Sequence, residues 1–597
     1  MNKTSYPREK GSYILIFILG MLFFLLAIRV FSLEVIKGSY YRQLSEENRI
    51  RPVPLPAPRG LIKDRNGKII VSNRATYTVF MIPYEVKNLK EIVEKLSPIL
   101  QTNADSLMDK IKSNWSRGYE PIKLKRDVDF TTISILEEQN QDFPGVIYQV
   151  EQTRKYPEMT TISHLIGYVS EISKSELAQL PEGRYRVGSY IGKKGVERQY
   201  DDLLRGKDGM SYLEVSAVGK ILGELKDRKP DIPIAGSDIR LSVDFDLQKL
   251  ADSLLGQYGA ATLVALDPKS GDVLALASKP GFDPNLFAGV LTQEEWNSLT
   301  LDPRHPLLDR ATQGTYPPGS TLKLLTAGAA VETGVVGQEA SFVRCVGGYR
   351  FGNRIFKCWQ EKGHGKLKLH EAIVQSCDIY FYQLGLKLGL ENWCRYAKAC
   401  GFGERTNIDL PEEAKGLAPT TSYYSKKYGM GEWVKGLVIN LAIGQGEILV
   451  TPLQMATFYS GLANEGVVFR PHVLKQVITP GGKTFVTKKE QLTKLPFSAE
   501  TLDTLNADLV GVVNEPMGTG LAARLPNITV AGKTGTAQNT FGQDHAWFVC
   551  YAPAEDPRIV LALLVENAGH GGSIAAPIAK RILQAFFEKL NMSGART

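Results

Sequence analysis

Tyr316-Pro317-Pro318-Gly319-Ser320-Thr321-Leu322-Lys323-Leu324-Leu325-Thr326-Ala327-Gly328-Ala329-Ala330 is a breaker cluster running straight into an apolar helical stretch, so Ser320 falls at the first turn of a helix. Residues at i and i+3 share a helix face, which puts the Lys323 amine beside the Ser320 hydroxyl. Unpaired backbone N–H groups at the same helix start can stabilise developing negative charge. A serine with its own proton acceptor reads as a nucleophile. S-x-x-K alone recurs by chance in many proteins, so its weight depends on what flanks it.

Two further stretches supply that weight. Lys533-Thr534-Gly535-Thr536 follows the β-prone Ile528-Thr529-Val530-Ala531 and precedes the alternating His545-Ala546-Trp547-Phe548-Val549-Cys550-Tyr551, which predicts a strand carrying Lys-Thr-Gly-Thr beside a second strand. Between the two lies Ser376-Cys377-Asp378, just ahead of Ile379-Tyr380-Phe381. Working outward, a helix is expected near Asp246 to Leu255, a hairpin over Ala261 to Ala277, a strand over Ile559 to Glu566 and an amphipathic helix over Ala575 to Leu590. Strands at both ends enclosing a mostly helical middle predict an α+β domain over residues 237–597, its active site between a helical lobe and a sheet edge.

At 597 residues, with 43% hydrophobic and 22% charged, the chain is expected to form several folded units. A net charge of +8 is mild for this length and points to a membrane-adjacent protein and not to a nucleic-acid binder. Tyr13 to Ile28 holds no charged residue, and residues 12–33 are long enough to span a hydrocarbon core as a single anchor. No A-x-A-like cleavage site follows. Lys3, Arg8 and Lys10 in the tail, residues 1–11, favour a cytoplasmic amino terminus, with everything after the span extracytoplasmic. Residues 34–236 contain Pro58-Arg59-Gly60, Asp64-Arg65-Asn66-Gly67, Arg154-Lys155-Tyr156-Pro157, His164-Leu165-Ile166-Gly167-Tyr168 and Gly195-Val196-Glu197-Arg198-Gln199-Tyr200. None of these sets a nucleophile beside a base, so this region reads as an elongated α+β pedestal without catalytic function.

Together the three catalytic motifs are the signature set of serine penicillin-recognising enzymes. With the pedestal motifs, the chain resembles class B penicillin-binding proteins over nearly its whole length. Asp309-Arg310-Ala311, Gly363-His364-Gly365, Gly444-Gln445-Gly446, Thr451-Pro452-Leu453-Gln454 and an Asp at 378, where the family pattern has Asn, are similar to the elongation-specific subfamily. The resemblance implies a pedestal of the dimerisation-domain type and a β-lactamase-like transpeptidase domain, an antiparallel sheet with helices on both faces. It further implies a peptidoglycan D,D-transpeptidase acting on stem peptides that end in D-Ala-D-Ala. In that reading Ser320 is the nucleophile, Lys323 the base with its pKa lowered by Lys533, Ser376 a proton relay and Asp378 the holder of the lysines. The N–H groups of Ser320 and Thr536 would form the oxyanion hole, with Thr534 and Thr536 on the substrate carboxylate and Gly535 between them. β-Lactams would acylate Ser320. The implied partner is a polytopic SEDS-family glycan polymerase of the RodA type within the elongation machinery, at the cytoplasmic (inner) membrane with the catalytic domain in the periplasm.

Six cysteines in an extracytoplasmic chain first suggest disulfides. Cys345, Cys358 and Cys377, however, bracket His364 in the pattern C-x12-C-x5-H-x12-C. Three thiolates and an imidazole make a closed tetrahedral structural zinc site, and the resemblance implies a metal at this place. A Cys345–Cys358 disulfide and unlinked thiols are the alternatives. Cys394, Cys400 and Cys550 read as core, His370 as a surface or capping histidine, and His545 as packed at the sheet edge.

Other functions fit less well. A glycosyltransferase would need an acidic catalytic domain after the anchor. A β-lactamase or carboxypeptidase needs a path for hydrolytic water, and a scaffold or sensor would not need the nucleophile and base intact. A division-specific class B transpeptidase is the nearest alternative, disfavoured by Asp378 and the cysteine segment.

Overall fold

The computed structural model describes residues 8–41, 49–115, 121–157, 159–181, 183–186, 188–216, 221–225, 227–289, 291–429, 436–539 and 542–594. Residues 1–7 of the expected tail, with Lys3, lie outside the described residues.

The apolar stretch forms one helix, Arg8–Phe31, whose last part runs on as a single π-helical turn, Ser32–Ile36. The most apolar 18-residue window within residues 12–36 has a mean hydropathy of 2.8, and none of it is buried against protein. A helix this apolar and this bare is consistent with a single-pass membrane anchor, since 25 residues reach about 37 Å at ~1.5 Å each.

The rest of the chain falls into two compact units interleaved along the sequence. One gathers residues 1–58, 75–152 and 207–234, the other residues 59–74, 153–206 and 235–597, so the 34–236 stretch contributes to both. In the first unit, strand Gly209–Val215 pairs with Ile50–Leu55 on one side and Ile221–Glu224 on the other. A separate core in the same unit forms where helices Leu89–Ile99, Ala104–Ser113 and Phe130–Glu138 bury Val93, Leu96, Leu107, Ile111, Ile133 and Leu136. Asn88, Asn103 and Asp129 cap these helices, each accepting from an N–H of the first turn, which supplies partners for otherwise orphaned donors.

The second unit is built on a five-stranded antiparallel sheet in the order Val273–Lys279, Ala261–Leu266, Ile559–Val565, His545–Ala552, Ala531–Ala537. Its middle strand, Ile-Val-Leu-Ala-Leu-Leu-Val, is buried at every position, as an uninterrupted apolar run requires when both faces of a sheet are covered. Helices Phe245–Leu255 and Ala575–Gly594 pack against the sheet and each other, and helix Pro452–Ala463 also packs on it. This last helix is buried at all twelve positions, which suits its apolarity all round. Its start is fixed by a Thr451/Gln454 capping box with Pro452 at the first turn. Lys-Thr-Gly-Thr therefore lies on the sheet's edge strand, and the α+β architecture expected of this region is the one observed.

Within the same unit Glu197 is fully buried and paired to Arg154 at 2.6 Å and Arg59 at 2.7 Å, while Arg59 also meets Asp201 at 2.8 Å. Three of the five pedestal motifs, those holding Arg59, Arg154 and Glu197, thus meet in one ionic knot. Removing any one partner would strand a buried charge.

Candidate active site and metal cluster

Ser320 sits in a short 3-10 turn, Gly319–Leu322, that leads into helix Lys323–Glu332. The turn is pressed against the edge strand. Gly319 has φ +56°, and a Cβ there would lie 2.7 Å from the Thr536 carbonyl oxygen, while a Cβ on Gly444 would lie 2.1 Å from the Gly319 carbonyl oxygen. Glycine at both places permits this approach, and the Gly319 N–H donates to the Gly444 carbonyl at 2.9 Å. Thr321 Oγ1 donates to the Pro318 carbonyl, Tyr459 OH to the Thr321 carbonyl and Trp547 Nε1 to the Pro317 carbonyl. The nucleophile turn is locked from three sides, with Ser320 itself partly exposed.

Lys323 is fully buried. Its ammonium donates to the Ser376 carbonyl at 2.8 Å, to Ser376 Oγ at 3.3 Å and to Asp378 Oδ1 at 2.8 Å, with the Phe381 ring centroid 5.2 Å away. Among the described residues no hydrogen bond joins Lys323 to Ser320 Oγ, so the i, i+3 pair shares a face while the amine reaches on to the middle motif. Lys533 is equally buried but donates only to the Thr534 carbonyl, at 3.1 Å. Its pKa is held well below the ordinary lysine value, first by burial and then by the Lys323 charge, with Asp378 opposing. Asp378 lies against Lys323, and the depressed amine of the structure is that of Lys533.

Ser376 has φ +55°, a left-handed conformation that a non-glycine residue adopts only where its surroundings over-determine it. Asp378 begins helix Asp378–Leu388 with Cys377 as its N-cap. Along the edge strand, the Thr534 and Thr519 hydroxyls lie 2.7 Å apart, and Thr536 Oγ1 is 3.4 Å from His570 Nδ1. Gly535 faces the turn, where a Cβ would come within 2.9 Å of Thr321.

Cys345, Cys358, His364 and Cys377 converge, their ligand atoms all within 4.8 Å of one another. The three thiols are buried and free of disulfides. His364 Nδ1 lies 3.6 Å from Cys345 Sγ and 3.5 Å from Cys358 Sγ, and its buried Nε2 has no partner. A tetrahedral Zn²⁺ at ~2.3 Å from sulfur sets its ligand atoms about 3.5–3.8 Å apart, so donor set and spacing both fit a metal. Cys358 is pushed down to about 3 by hydrogen bonding from Cys377 and then His364, with burial opposing, while the Cys377 thiol is pushed up by Cys358 and by burial. Backbone N–H groups of Gln360 and Asp378 also favour the Cys358 thiolate.

Residues 261–584 match the penicillin binding protein transpeptidase domain and residues 54–241 the penicillin-binding protein dimerisation domain. The chain belongs to the penicillin-binding protein family. It is 36% identical to the peptidoglycan D,D-transpeptidase MrdA of Acinetobacter baumannii, over 94% of this chain and 87% of that protein, and 31% identical to MrdA of Escherichia coli K12, over 95% and 93%. Among solved structures, PBP2 of Helicobacter pylori in complex with MreC aligns at TM-score 0.79 and 28% identity, covering 90% of this chain and 100% of that one. PBP2 of Pseudomonas aeruginosa with the ligand WCK 5153 aligns at 0.68 and 30%, covering 90% and 96%.

This penicillin-binding protein is a transpeptidase, and its site contains residues that motif reading missed. Trp359 donates its N–H to Asp378 Oδ2 at 3.0 Å and its indole Nε1–H to the Ser376 carbonyl at 3.1 Å and the Gln375 carbonyl at 3.2 Å. It follows Cys358 directly, so the cluster of three cysteines and a histidine and the loop carrying Ser376 and Asp378 share a backbone link at both Cys358-Trp359 and Ser376-Cys377-Asp378. Thr519 and His570 border the edge strand. The position of Trp359 beside a ligand was the one available sequence signal; Thr519 and His570 gave none. His370 lies between Asp508, at 2.6 Å, and Glu515, at 2.8 Å, and His545 packs its ring 5.8 Å from that of Tyr316.

Proposed function

We propose that this penicillin-binding protein is an elongation-specific peptidoglycan D,D-transpeptidase that cross-links stem peptides through an acyl-enzyme on Ser320. The observation that carries this reading is the convergence of Lys323, Ser376, Asp378 and Lys533 beside a glycine-tightened nucleophile turn on a sheet edge. Two lysines and one carboxylate are buried together, and the cost of a second unpaired charge falls on the pair, so one of the two amines gives up its proton well below the ordinary lysine range. Lys323 passes its extra proton to the neutral Lys533 amine and, so freed, takes the Ser320 proton as Oγ attacks the penultimate D-Ala carbonyl. The oxyanion forms against the N–H groups of Ser320 and Thr536, each such donor being worth about 3 kcal/mol. The C–N bond then breaks, Ser376 passes a proton to the departing D-Ala nitrogen, and an amine of a second stem resolves the ester. Thr534 and Thr536 hydroxyls hold the terminal carboxylate, and the edge strand offers its backbone to an extended donor peptide. β-Lactams present the same terminus and acylate Ser320.

Cys345, Cys358, His364 and Cys377 would hold a structural Zn²⁺, which when bound fixes the loop that carries Ser376 and Asp378. Asp378 holds Lys323, and Trp359 holds Asp378. The anchor would lie in the cytoplasmic membrane with residue 37 onward in the periplasm. The complex of the H. pylori relative with MreC, and the resemblance of this chain over 96% of its length to a structure of a peptidoglycan synthase complex, support a SEDS-type polymerase and the elongation machinery as partners.

Mass spectrometry after incubation with penicillin tests the central claim. A single adduct should map to Ser320 and vanish in Ser320→Ala, whose melting temperature should match wild type because the hydroxyl contributes little packing. An adduct that persists in Ser320→Ala sinks the assignment.

A further inference from the structure

Residues 344–368, the segment threaded through the metal cluster, carry seven lysines and arginines against one glutamate, a surplus of six in a chain whose whole net charge is +8. The segment folds as a hairpin, Gly348–Phe351 paired with Arg354–Lys357, with Arg350 opposite Ile355 and Gly348 opposite Lys357. Opposed residues share a face and alternate along each strand. Tyr349, Phe351 and Phe356 pack inward against the core. The other face presents Arg350, Ile355 and Lys357 to solvent, Ile355 being 68% exposed, and Val346 just before the hairpin is 64% exposed. Among the described residues, Arg344, Arg350, Lys357, Lys362 and Lys366 have no acidic partner, so five cations within 23 residues stay uncompensated, and of this segment's cations Lys368 is paired, with Glu339.

This face is continuous with the catalytic loop. Tyr382 OH donates to the Lys357 carbonyl at 2.9 Å, and two residues after Lys357 the Trp359 N–H holds Asp378. Unpaired cations around an apolar strip complement a chain that alternates carboxylates with small aliphatic groups. An uncross-linked peptidoglycan stem has that chemistry, with free carboxylates beside alanine methyls. We propose that the outward face of the 348–357 hairpin is a docking surface for an anionic stem peptide, gathering substrate at the mouth of the active site. The proposal rests on the transpeptidase reading and deepens it.

Full-length protein in detergent, supplied with uncross-linked glycan strands bearing pentapeptide stems, tests it against the doubly reversed variant Arg350→Glu/Lys357→Glu. KM for cross-linking should rise at least about five-fold at low salt, with kcat and the rate of acylation by a small fluorescent penicillin unchanged. High salt should raise the wild-type KM toward that of the variant. Wild-type protein given strands amidated at the internal stem carboxylates, with the terminal D-Ala carboxylate left free, should show the same loss. Arg350→Glu alone, away from every metal ligand, should give a smaller shift in the same direction, which guards against misfolding of the double variant. Equal KM values for variant and wild type would overturn the proposal. So would a variant defect undiminished on amidated strands, since the cations would then be reading some other anion. Failure of wild-type protein to be acylated by penicillin would instead strike the transpeptidase reading itself.

Discussion

Lys323 and Lys533 are buried to the same extent and differ in what meets their amines. Lys323 has three oxygens, one of them the Asp378 carboxylate, while Lys533 has a single carbonyl. Of two cations placed in one cavity, only one is compensated, and the uncompensated amine is the one whose affinity for a proton falls. The arrangement gives up stability to keep one amine of the pair short of a proton. The largest expected effects follow by replacing each amine with an isosteric apolar chain. Lys323→Met leaves Asp378 without its cation and should destabilise by about 3–5 kcal/mol, whereas Lys533→Met removes a buried amine with no carboxylate partner to strand and should be neutral or stabilising. Both should slow penicillin acylation by ~10²–10⁴. The sign is checked through pH. Between the depressed folded pKa of Lys533 and its unfolded value of about 10.4, the unfolded chain binds the extra proton, so wild-type stability rises with pH. The advantage of Lys533→Met should therefore be greatest near neutrality and close as pH approaches 10. Thermal unfolding of both variants from pH 7 to 10 measures this, and equal destabilisation by the two substitutions would dissolve the distinction.

The nucleophile turn and the middle loop differ in a related way. Gly319 and Gly444 let backbone hold the turn directly, but the strained Ser376 is held through side chains and the cysteine cluster. His364→Ala should accordingly reach the chemistry without touching it. Purified protein should contain about one equivalent of zinc. The variant should lose it, melt at a lower temperature because metal binding is coupled to folding, and acylate about 10–100-fold more slowly. Metal-free wild-type protein with a Cys345–Cys358 disulfide would refute the site and leave Ser320 untouched.

Trp359→Phe asks how much of the loop's support comes from one indole N–H. The backbone N–H on Asp378 stays, and the bond to the Ser376 carbonyl goes, so the acylation rate should fall about three- to ten-fold, the loss of about 1 kcal/mol for one hydrogen bond, with β-lactam binding and zinc content unchanged. A matching loss of zinc would mean that the ring supports the cluster and does not position the loop.

What was legible in the sequence was local. Ser320 and Lys323 are one helical turn apart, Lys533 to Thr536 fall within one strand, and the four metal donors follow a single spacing, so periodicity and motif were enough to name them. The apolar run from Ile559 likewise read as a strand, to Glu566, and the structure has it over Ile559–Val565. Contacts made only by the tertiary fold were not legible. Thr519 and His570 reach the edge strand from turns with no pattern of their own. Gly444 matters because another backbone passes 2.1 Å from where its Cβ would be, which no spacing encodes. The basic hairpin face was hidden too, since its cations alternate with inward-facing aromatics and separate into a surface only once the strands pair.

His370 completes the comparison of charges that have partners with charges that lack them. It stands on helix Leu369–Val374, which leads into Ser376, and meets Asp508 and Glu515 on and just beyond helix Ala499–Asn514. The Asp508 carboxylate and then Glu515 raise its pKa to about 9, with burial opposing. A histidine raised in the folded state contributes stability that is fully present below its unfolded pKa of about 6.5 and is lost as pH rises through 9. The ring is 41% exposed, so solvent screening limits the contribution to about 1 kcal/mol. His370→Gln should melt lower than wild type at pH 6, and the two curves should meet near pH 10. Because Asp508 is buried with one oxygen unpartnered and burial raises its pKa, the variant leaves that carboxylate without its cation, and its protonation as pH falls should restore part of the lost stability. A constant gap between wild type and variant from pH 6 to 10 would show that His370 packs the two helices together without acting as their charge.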